Sequence, residues 1–412
     1  MSAAAPQVAI AGGGLAGMSA AEALAAEGYR VTLIEKRSAL GGRAGSYLDA
    51  ATGEWIDNCQ HVLMPCCTNL LDFYERIGVR DKIRFHSEIP FIDARGRVSL
   101  LRSSRLPAPL HCAPSFLGLK FLSLSDKLRI GRGLAALVAL GRSGAAGTGT
   151  ALEWFRAHGQ SNRAIRDFWE LVLVSALNEN VERAALAYAA KVFLEAFLAH
   201  PRGWWLGVPA APLGTLYTDP VARFLRARGG ALRLRTALER MGSRDGGVVL
   251  ELGGGERLSA DRVVVALPWH AAADVLPEEV PPQLRAALRD GFEPSPITGV
   301  HLWFDRAVTD LEFAALPGRQ AQWFFNKTRN FGAEAGGGSY LQLVTSASRA
   351  WLDRAKHEVL ELVLGELRQA LPAAREARLL KSHVLKEPAA TFSPTPESER
   401  FRPDVRTAVA NL

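Results

Sequence analysis

The spacing of apolar positions changes period several times in the first eighty residues, and each change marks an element. Residues 8–11 are a short apolar run followed at once by glycines, which reads as a buried strand. Residues 18–27 are alanine-rich and helix-prone and stop at Gly28; 29–34 form a second buried strand that ends at Glu35. Short runs on either side of a turn at 51–53 predict a hairpin over 46–57, and Pro65 breaks the run that follows. Leu70, Leu71, Phe73, Tyr74 and Ile77 recur at helical spacing, so 68–77 reads as an amphipathic helix closed by Gly78.

Two strands are expected in 84–101 around Arg95-Gly96, then an irregular segment bracketed by Pro107, Pro109 and Pro114. Helices are expected at 125–140, capped by Ser125-Asp126, and at 151–158, 162–177 and 183–198, with a small-residue loop at 141–150. Residues 209–216 read as a loop and 219–228 as a helix. Strands follow at 231–234, 248–252 and 262–266, the last fully apolar from Val263 onward and ended by a turn at Pro268. Residues 300–304 and 340–345 read as strands of another sheet, and 353–371 as an amphipathic helix. The pattern predicts an α/β protein: a Rossmann-type domain from 1–85 and 205–275, interrupted by a mixed α+β domain from 86–204 and 276–400.

The first turn carries chemistry. Gly12, Gly14 and Gly17 stand at the G-x-G-x-x-G positions between the first strand and helix. The first permits the tight turn, the second lets a pyrophosphate approach the backbone, and the third lets the helix pack close to the sheet. The helix start offers free N–H groups and a positive dipole end to phosphates. Glu35 lies about 20 residues on, where a carboxylate accepts hydrogen bonds from ribose hydroxyls and disfavours a 2′-phosphate, so NADP is not expected. Gly41-Gly42-Arg43 makes a second turn for which NAD has no use, and no second fingerprint for a nicotinamide cofactor exists.

Composition removes other classes. The net charge of +7 comes without a dense basic run interleaved with aromatics, so nucleic acid is not an expected partner. The basic excess suits an anionic membrane or a diphosphate-bearing partner, or is compositional bias. Cys59, Cys66, Cys67 and Cys112 form no C-x-x-C pair and no zinc spacing, so no metal is expected. Cys59, Cys66 and Cys67 read as small core residues, and the cysteine usage suits a reduced, cytoplasmic compartment. No basic segment precedes the first apolar run, and no run reaches the ~18 residues of a membrane span, so neither a signal peptide nor a transmembrane helix is expected.

The run from Glu35 to Ala44 resembles the flavoprotein amine oxidase and phytoene desaturase superfamily, where this turn and its arginine line the pyrophosphate and approach the flavin. Further stretches occur in one order: Ile56-Asp57-Asn58-Cys59-Gln60-His61-Val62-Leu63, Leu70-Leu71-Asp72-Phe73-Tyr74, Pro212-Leu213-Gly214-Thr215-Leu216-Tyr217 and Val265-Ala266-Leu267-Pro268. Together they resemble the squalene-associated FAD-dependent desaturase-like family, whose members include hydroxysqualene dehydroxylase of hopanoid synthesis. The resemblance covers essentially the whole chain and implies FAD as cofactor. It matches Gly12, Gly14, Leu15, Ala16 and Gly17 to the pyrophosphate turn and Glu35 to the ribose ligand. Arg37 and Arg43 match the cofactor's edge, with Lys36, Gly42 and Ala44 of the same run also expected to bind it; Leu238 matches the adenine contact, and Asn58 to Val62 the segment beside the isoalloxazine. Many relatives carry glycine where this chain has Cys59. The superfamily closes its FAD domain with a strand, a Gly-Asp turn and a helix; here 401–412 is expected to be only the start of that segment, with looser FAD retention.

The resemblance implies reduction of hydroxysqualene to squalene by hydride transfer from reduced flavin. The departing hydroxyl then needs a proton or hydrogen-bond donor. His61 is the candidate, against the alternative of a structural histidine. Asn58 and Gln60 are expected to fix backbone or flavin carbonyls. Phe193, Phe197, Trp204, Trp205, Trp303, Trp323, Phe324 and Phe325 can line a tunnel for an apolar isoprenoid, or simply pack a core. The apolar stretch 110–122 and helix 125–140, flanked by Arg102, Arg105, Lys120, Lys127, Arg129 and Arg132, suit peripheral contact with the inner face of the plasma membrane or a solvated basic face. Two other readings stay open: an oxidising carotenoid or squalene desaturase or amine-oxidase-like enzyme, and a flavin-poor partner of squalene- or phytoene-synthase-like enzymes.

Overall fold

The computed structural model describes residues 5–49, 53–144, 147–244, 246–332, 338–403 and 411–412. The tip of the expected hairpin turn and most of the C-terminal segment, 404–410, lie outside them. Asn411 is described: its carbonyl accepts from the Val263 N–H at 2.9 Å.

A four-stranded parallel sheet runs in the order Arg262–Val265, Gln7–Ala11, Arg30–Ile34, Ala231–Arg233. One face is covered by the helices Leu15–Ala26, Thr68–Arg76 and Leu213–Arg226, through Met18, Ala21, Phe73, Leu216 and Val221. The other face meets an antiparallel sheet of Leu238–Arg244, Gly247–Leu252 and Arg257–Ala260. With both faces covered, the strands carry apolar residues at nearly every position, which is why they read as runs rather than alternations.

The helix expected at 219–228 begins earlier, at Leu213, and includes Pro220. Distant side chains fix its start. Asp57 Oδ1 accepts from the Leu213 N–H at 3.0 Å, and Ser46 Oγ from the Gly214 N–H at 2.7 Å. They satisfy two of the donors that a helix start leaves open, a role that local sequence cannot reveal. The helix Leu124–Arg142 is capped by Ser123, not Ser125; Asp126 is the acidic partner of that capping box. Expected helices 162–177 and 183–198 each contain a π-helical stretch, Ile165–Trp169 and Val192–Leu198, at which Trp169 packs on Phe193 with ring centroids 4.8 Å apart.

The second sheet has seven strands, ordered Leu379–Phe392, Pro294–Phe304, Ser339–Ser346, Trp323–Asn326, Phe313–Ala315, Glu88–Ile92, Val98–Arg102. Pairing is antiparallel except where Phe313–Ala315 meets Glu88–Ile92. Val300, Leu302, Phe304, Leu341 and Leu343 face the helix Lys356–Ala370 and its Val359, Val363 and Leu367. Phe324 belongs to this side, so it is not a tunnel residue. The opposite face carries Gly299, His301, Trp303, Tyr340 and Gln342 at one end and Val344, Phe325 and Phe313 at the other. The apolar end merges with the helical core that holds Phe193 and Trp204, both fully buried.

Cys66 and Cys67 are exposed rather than core residues; Cys59 is buried. One polar knot ties the helices to the sheet. Buried Glu179 binds Arg349 through both oxygens, at 2.7 and 2.6 Å, and accepts the Ser393 hydroxyl. Its neighbour Asn178 reaches Thr391 Oγ1 at 2.9 Å and the Ala347 N–H at 2.7 Å.

Candidate functional site

The two glycine turns lie against each other at the C-terminal edge of the parallel sheet. Gly12 has φ +107°, and a methyl group at Gly17 falls 1.8 Å from the Gly12 carbonyl oxygen. Those two positions are closed to side chains by the fold itself. Gly14 differs: a methyl group there has no described atom within 4 Å. It faces open space in front of the helix Leu15–Ala26, whose first turn has no side-chain cap and no acidic residue. Leu15 is partly buried and Ala16 is exposed there. The Gly41 N–H donates to Gly13 O at 2.8 Å, and a methyl group at Gly42 falls 3.2 Å from Gly14 Cα. Ala44 closes the second turn through its N–H to Gly41 O at 3.0 Å. The result is a backbone cradle with an uncapped helix start, chemically suited to a pyrophosphate.

Glu35 follows the second strand and lies against the first glycine turn. Its buried carboxylate accepts from the Gly13 N–H at 2.7 Å and the Arg37 N–H at 2.8 Å, leaving each oxygen a spare lone pair for a sugar hydroxyl. The Thr236 N–H donates to Glu35 O, and the Arg235 N–H to Arg37 O, which brings the strand start at Leu238 beside the same end. Lys36 is exposed at the rim. Arg37 Nη1 holds Gly42 O at 2.9 Å.

Arg43 crosses to the second sheet. Its guanidinium donates to Ala390 O at 3.0 Å and Ala389 O at 3.3 Å and lies 5.8 Å from the Trp269 ring. Burial lowers its pKa, with Glu387 opposing. Asn58 bridges the same parts: its Nδ2 reaches Arg43 O and Glu387 Oε2, both at 3.3 Å. Gln60 donates to His61 O at 3.0 Å, while its Oε1 is buried with no partner among the described residues. His61 Nδ1 lies 3.1 Å from Cys59 O, so Nδ1 carries the hydrogen and Nε2 is an acceptor. Burial holds this imidazole below its ordinary pKa, with the Cys59 carbonyl opposing. Burial also pushes the Cys59 thiol up to about 12, so it stays protonated and inert.

Lys327, His301, Gln342 and Tyr340 belong to no sequence motif named above, yet they meet beside this segment. Lys327 Nζ pairs with Asp57 Oδ2 at 2.6 Å, and both side chains are 1% exposed. His301 Nδ1 is 2.7 Å from the Tyr340 hydroxyl, and its Nε2 is 3.3 Å from Gln342 Nε2. A methyl group at Gly299 falls 3.6 Å from both Asn58 O and His301 Nε2, so this polar end of the sheet faces the segment 58–61. The visible signal was the strand 300–304 itself: alternation about Val300 and Leu302 sets His301 on the face away from the helix.

Among the described residues no cluster of His, Cys, Asp and Glu can hold a metal, and no helix is long and apolar enough to cross a membrane. The chain is 27% identical over 428 residues to a 15-cis-phytoene desaturase of Synechococcus elongatus, covering 98% of this chain and 89% of that one. It is 25% identical to a probable zeta-carotene desaturase of the same organism, over 98% and 92% of the two chains. An oxidoreductase structure from Methanosarcina mazei shares the fold with a TM-score of 0.72 at 16% identity, over 97% and 92%. The model of flavin containing amine oxidoreductases matches residues 15–412. The cradle, the buried Glu35 carboxylate beside it and the orphaned Gln60 acceptor fit the FAD of that family. The chain therefore belongs to the flavin containing amine oxidoreductase family and is an FAD-dependent oxidoreductase.

Proposed function

We propose that this flavoenzyme acts on a long isoprenoid alcohol, replacing the allylic C–OH of hydroxysqualene by C–H: reduced flavin supplies the hydride, the hydroxyl takes up a proton, and squalene and water are the products. The observation that carries the reading is the division of one sheet face. Val344, Phe325 and Phe313 make one end apolar, and the His301, Gln342 and Tyr340 end carries hydrogen-bonding groups close to Asn58. That arrangement suits a hydrocarbon chain carrying one polar group better than a hydrocarbon alone, since unmatched buried polar groups cost binding.

Bound FAD supplies the hydride chemistry. The glycine turns and the helix start would hold its pyrophosphate, Glu35 its ribose, and the Leu238 strand start the adenine end. Arg43 and Asn58 fix the segment beside its ring system. His61, with Nε2 unprotonated, enters as a hydrogen-bond acceptor rather than as an acid. The second reading, oxidative desaturation, is favoured by the names of the curated relatives. Anaerobic incubation separates the two. Reduced enzyme with hydroxysqualene is expected to form squalene as the flavin oxidises. Product only from oxidised enzyme with phytoene or another polyene would reverse the assignment.

The substrate class also calls for access from a bilayer. Leu117, Leu124 and Leu128 are 56%, 68% and 61% exposed, and Lys127 Nζ donates to Leu117 O, so they form one patch. Exposed Arg102, Lys120 and Arg132 stand around it. We assign this patch as a peripheral docking face for the anionic inner leaflet of the plasma membrane. Squalene- or phytoene-synthase-like enzymes on the same membrane are the expected partners. Leu124→Ser with Leu128→Ser should lower cosedimentation with anionic vesicles about tenfold, the loss of ~1.4 kcal/mol of apolar insertion. Unchanged cosedimentation, or equal binding to neutral vesicles, would remove the assignment.

A further inference from the structure

The assigned orientation of the Gln342 amide gives the polar end of the sheet one hydrogen-bond direction. His301 and Gln342 are both 0% exposed, and Tyr340 is half-buried. Burial, with the charge of Lys327 next, keeps the His301 imidazole neutral and far below its ordinary pKa. A neutral imidazole has one donor and one acceptor nitrogen. In the assigned amide orientation, Gln342 Nε2 donates to His301 Nε2 at 3.3 Å. Nδ1 then carries the ring hydrogen and donates to the Tyr340 oxygen at 2.7 Å. The Tyr340 hydroxyl hydrogen is left to point away from the imidazole, polarised by the two bonds behind it.

The ring of Tyr340 is fixed as well. It stacks on Trp303 at 4.3 Å between centroids and 7° between planes, and Lys381 Nζ lies 4.5 Å from the far ring. Gln342 Oε1 is buried without a partner among the described residues. Nothing in ordinary core packing requires three polar side chains in line on this face.

We propose that Gln342, His301 and Tyr340 form an oxygen-recognition site, in which the Tyr340 hydroxyl donates to the hydroxyl oxygen of an isoprenoid alcohol. His301 and Gln342 are positioning residues that set the direction of that donor. The inference rests on the reading of the substrate as an alcohol, and it makes Tyr340 the residue that discriminates alcohol from hydrocarbon.

Tyr340→Phe is the test, because it keeps the stack on Trp303 and removes only the hydroxyl. Binding of hydroxysqualene and of squalene to oxidised, FAD-loaded enzyme can be followed in detergent by perturbation of the flavin absorbance. Wild type should bind the alcohol about 10- to 100-fold more tightly, and Tyr340→Phe should bring the ratio to within about threefold, with FAD content unchanged. His301→Phe should lower the ratio too, by freeing the Tyr340 hydroxyl to turn. A wild-type ratio near one, or a ratio that survives Tyr340→Phe, overturns the site. Turnover by reduced enzyme is scored separately. Squalene formation together with an unaltered ratio in Tyr340→Phe leaves the function standing and removes the site. A Tyr340-dependent preference without squalene formation does the reverse.

Discussion

Gly14→Ala will leave the fold intact and strip the protein of FAD, whereas Gly17→Ala will cost the fold itself. The two glycines stand three residues apart in one motif, yet their surroundings differ. A methyl group at Gly17 meets the Gly12 carbonyl oxygen at 1.8 Å and Ala266 Cβ at 3.2 Å. Neither backbone can move without separating the helix Leu15–Ala26 from the sheet, so the expected loss is about 4 kcal/mol or more, with little soluble protein. At Gly14 the backbone has φ −75°, which alanine adopts freely, and no described atom lies within 4 Å of the added methyl. The apo protein should therefore melt within about 2 °C of wild type, since an unstrained surface change moves stability by under ~0.5 kcal/mol. The methyl instead occupies the space in front of the helix start. FAD affinity should fall about 100-fold, or ~2.7 kcal/mol. Flavin-to-protein absorbance and thermal midpoints with and without added FAD read both effects. A Gly14→Ala protein that retains FAD as wild type does would remove the cradle from the cofactor site.

That contrast shows what the sequence could and could not reveal. Gly12, Gly14, Gly17 and Glu35 lie within one local unit, so spacing alone carried their geometry. The helix start at Leu213 was hidden because its stabilising acceptors, Asp57 and Ser46, lie more than 150 residues away. Phe324 and Phe325 look alike in sequence, but the strand Trp323–Asn326 is covered on both sides, so period-two alternation had no polar residues to mark it. The exposed Cys66 and Cys67 follow Pro65 at a turn before the helix Thr68–Arg76, where an apolar composition does not mean burial. His301, Tyr340 and Gln342 were legible singly as strand residues. Their meeting depends on the register in which His301 pairs with Gln342 and Trp303 with Tyr340, and register is a tertiary property.

Asp57→Asn and Lys327→Met should each destabilise the protein by about 3 kcal/mol, yet together by about 1 kcal/mol or less. The pair is fully buried, Nζ to Oδ2 at 2.6 Å. Asp57→Asn keeps an acceptor for Ser46 Oγ and the Leu213 N–H, which Asp57 Oδ1 now holds at 2.6 and 3.0 Å. What it removes is the countercharge, leaving the Lys327 ammonium with the Phe331 ring at 4.8 Å as its remaining described neighbour of opposite polarity. A cation–π contact offsets about 2 kcal/mol at best, less than the several kcal/mol that desolvation costs an unpaired ion. Lys327→Met leaves the mirror problem, a buried carboxylate with two neutral donors. The double variant carries no buried charge and keeps both hydrogen bonds, so most of the cost should vanish. Urea unfolding of the four proteins measures the coupling, and additive costs would show that the two charges do not depend on each other. The consequence reaches the site because Asp57 immediately precedes Asn58, whose side chain holds Arg43 and Glu387. Each single variant should therefore lose FAD along with stability, and the double should regain both. FAD restored without stability would mean that the charge acts on the cofactor directly; stability restored without FAD would mean that Lys327 itself is needed at the flavin.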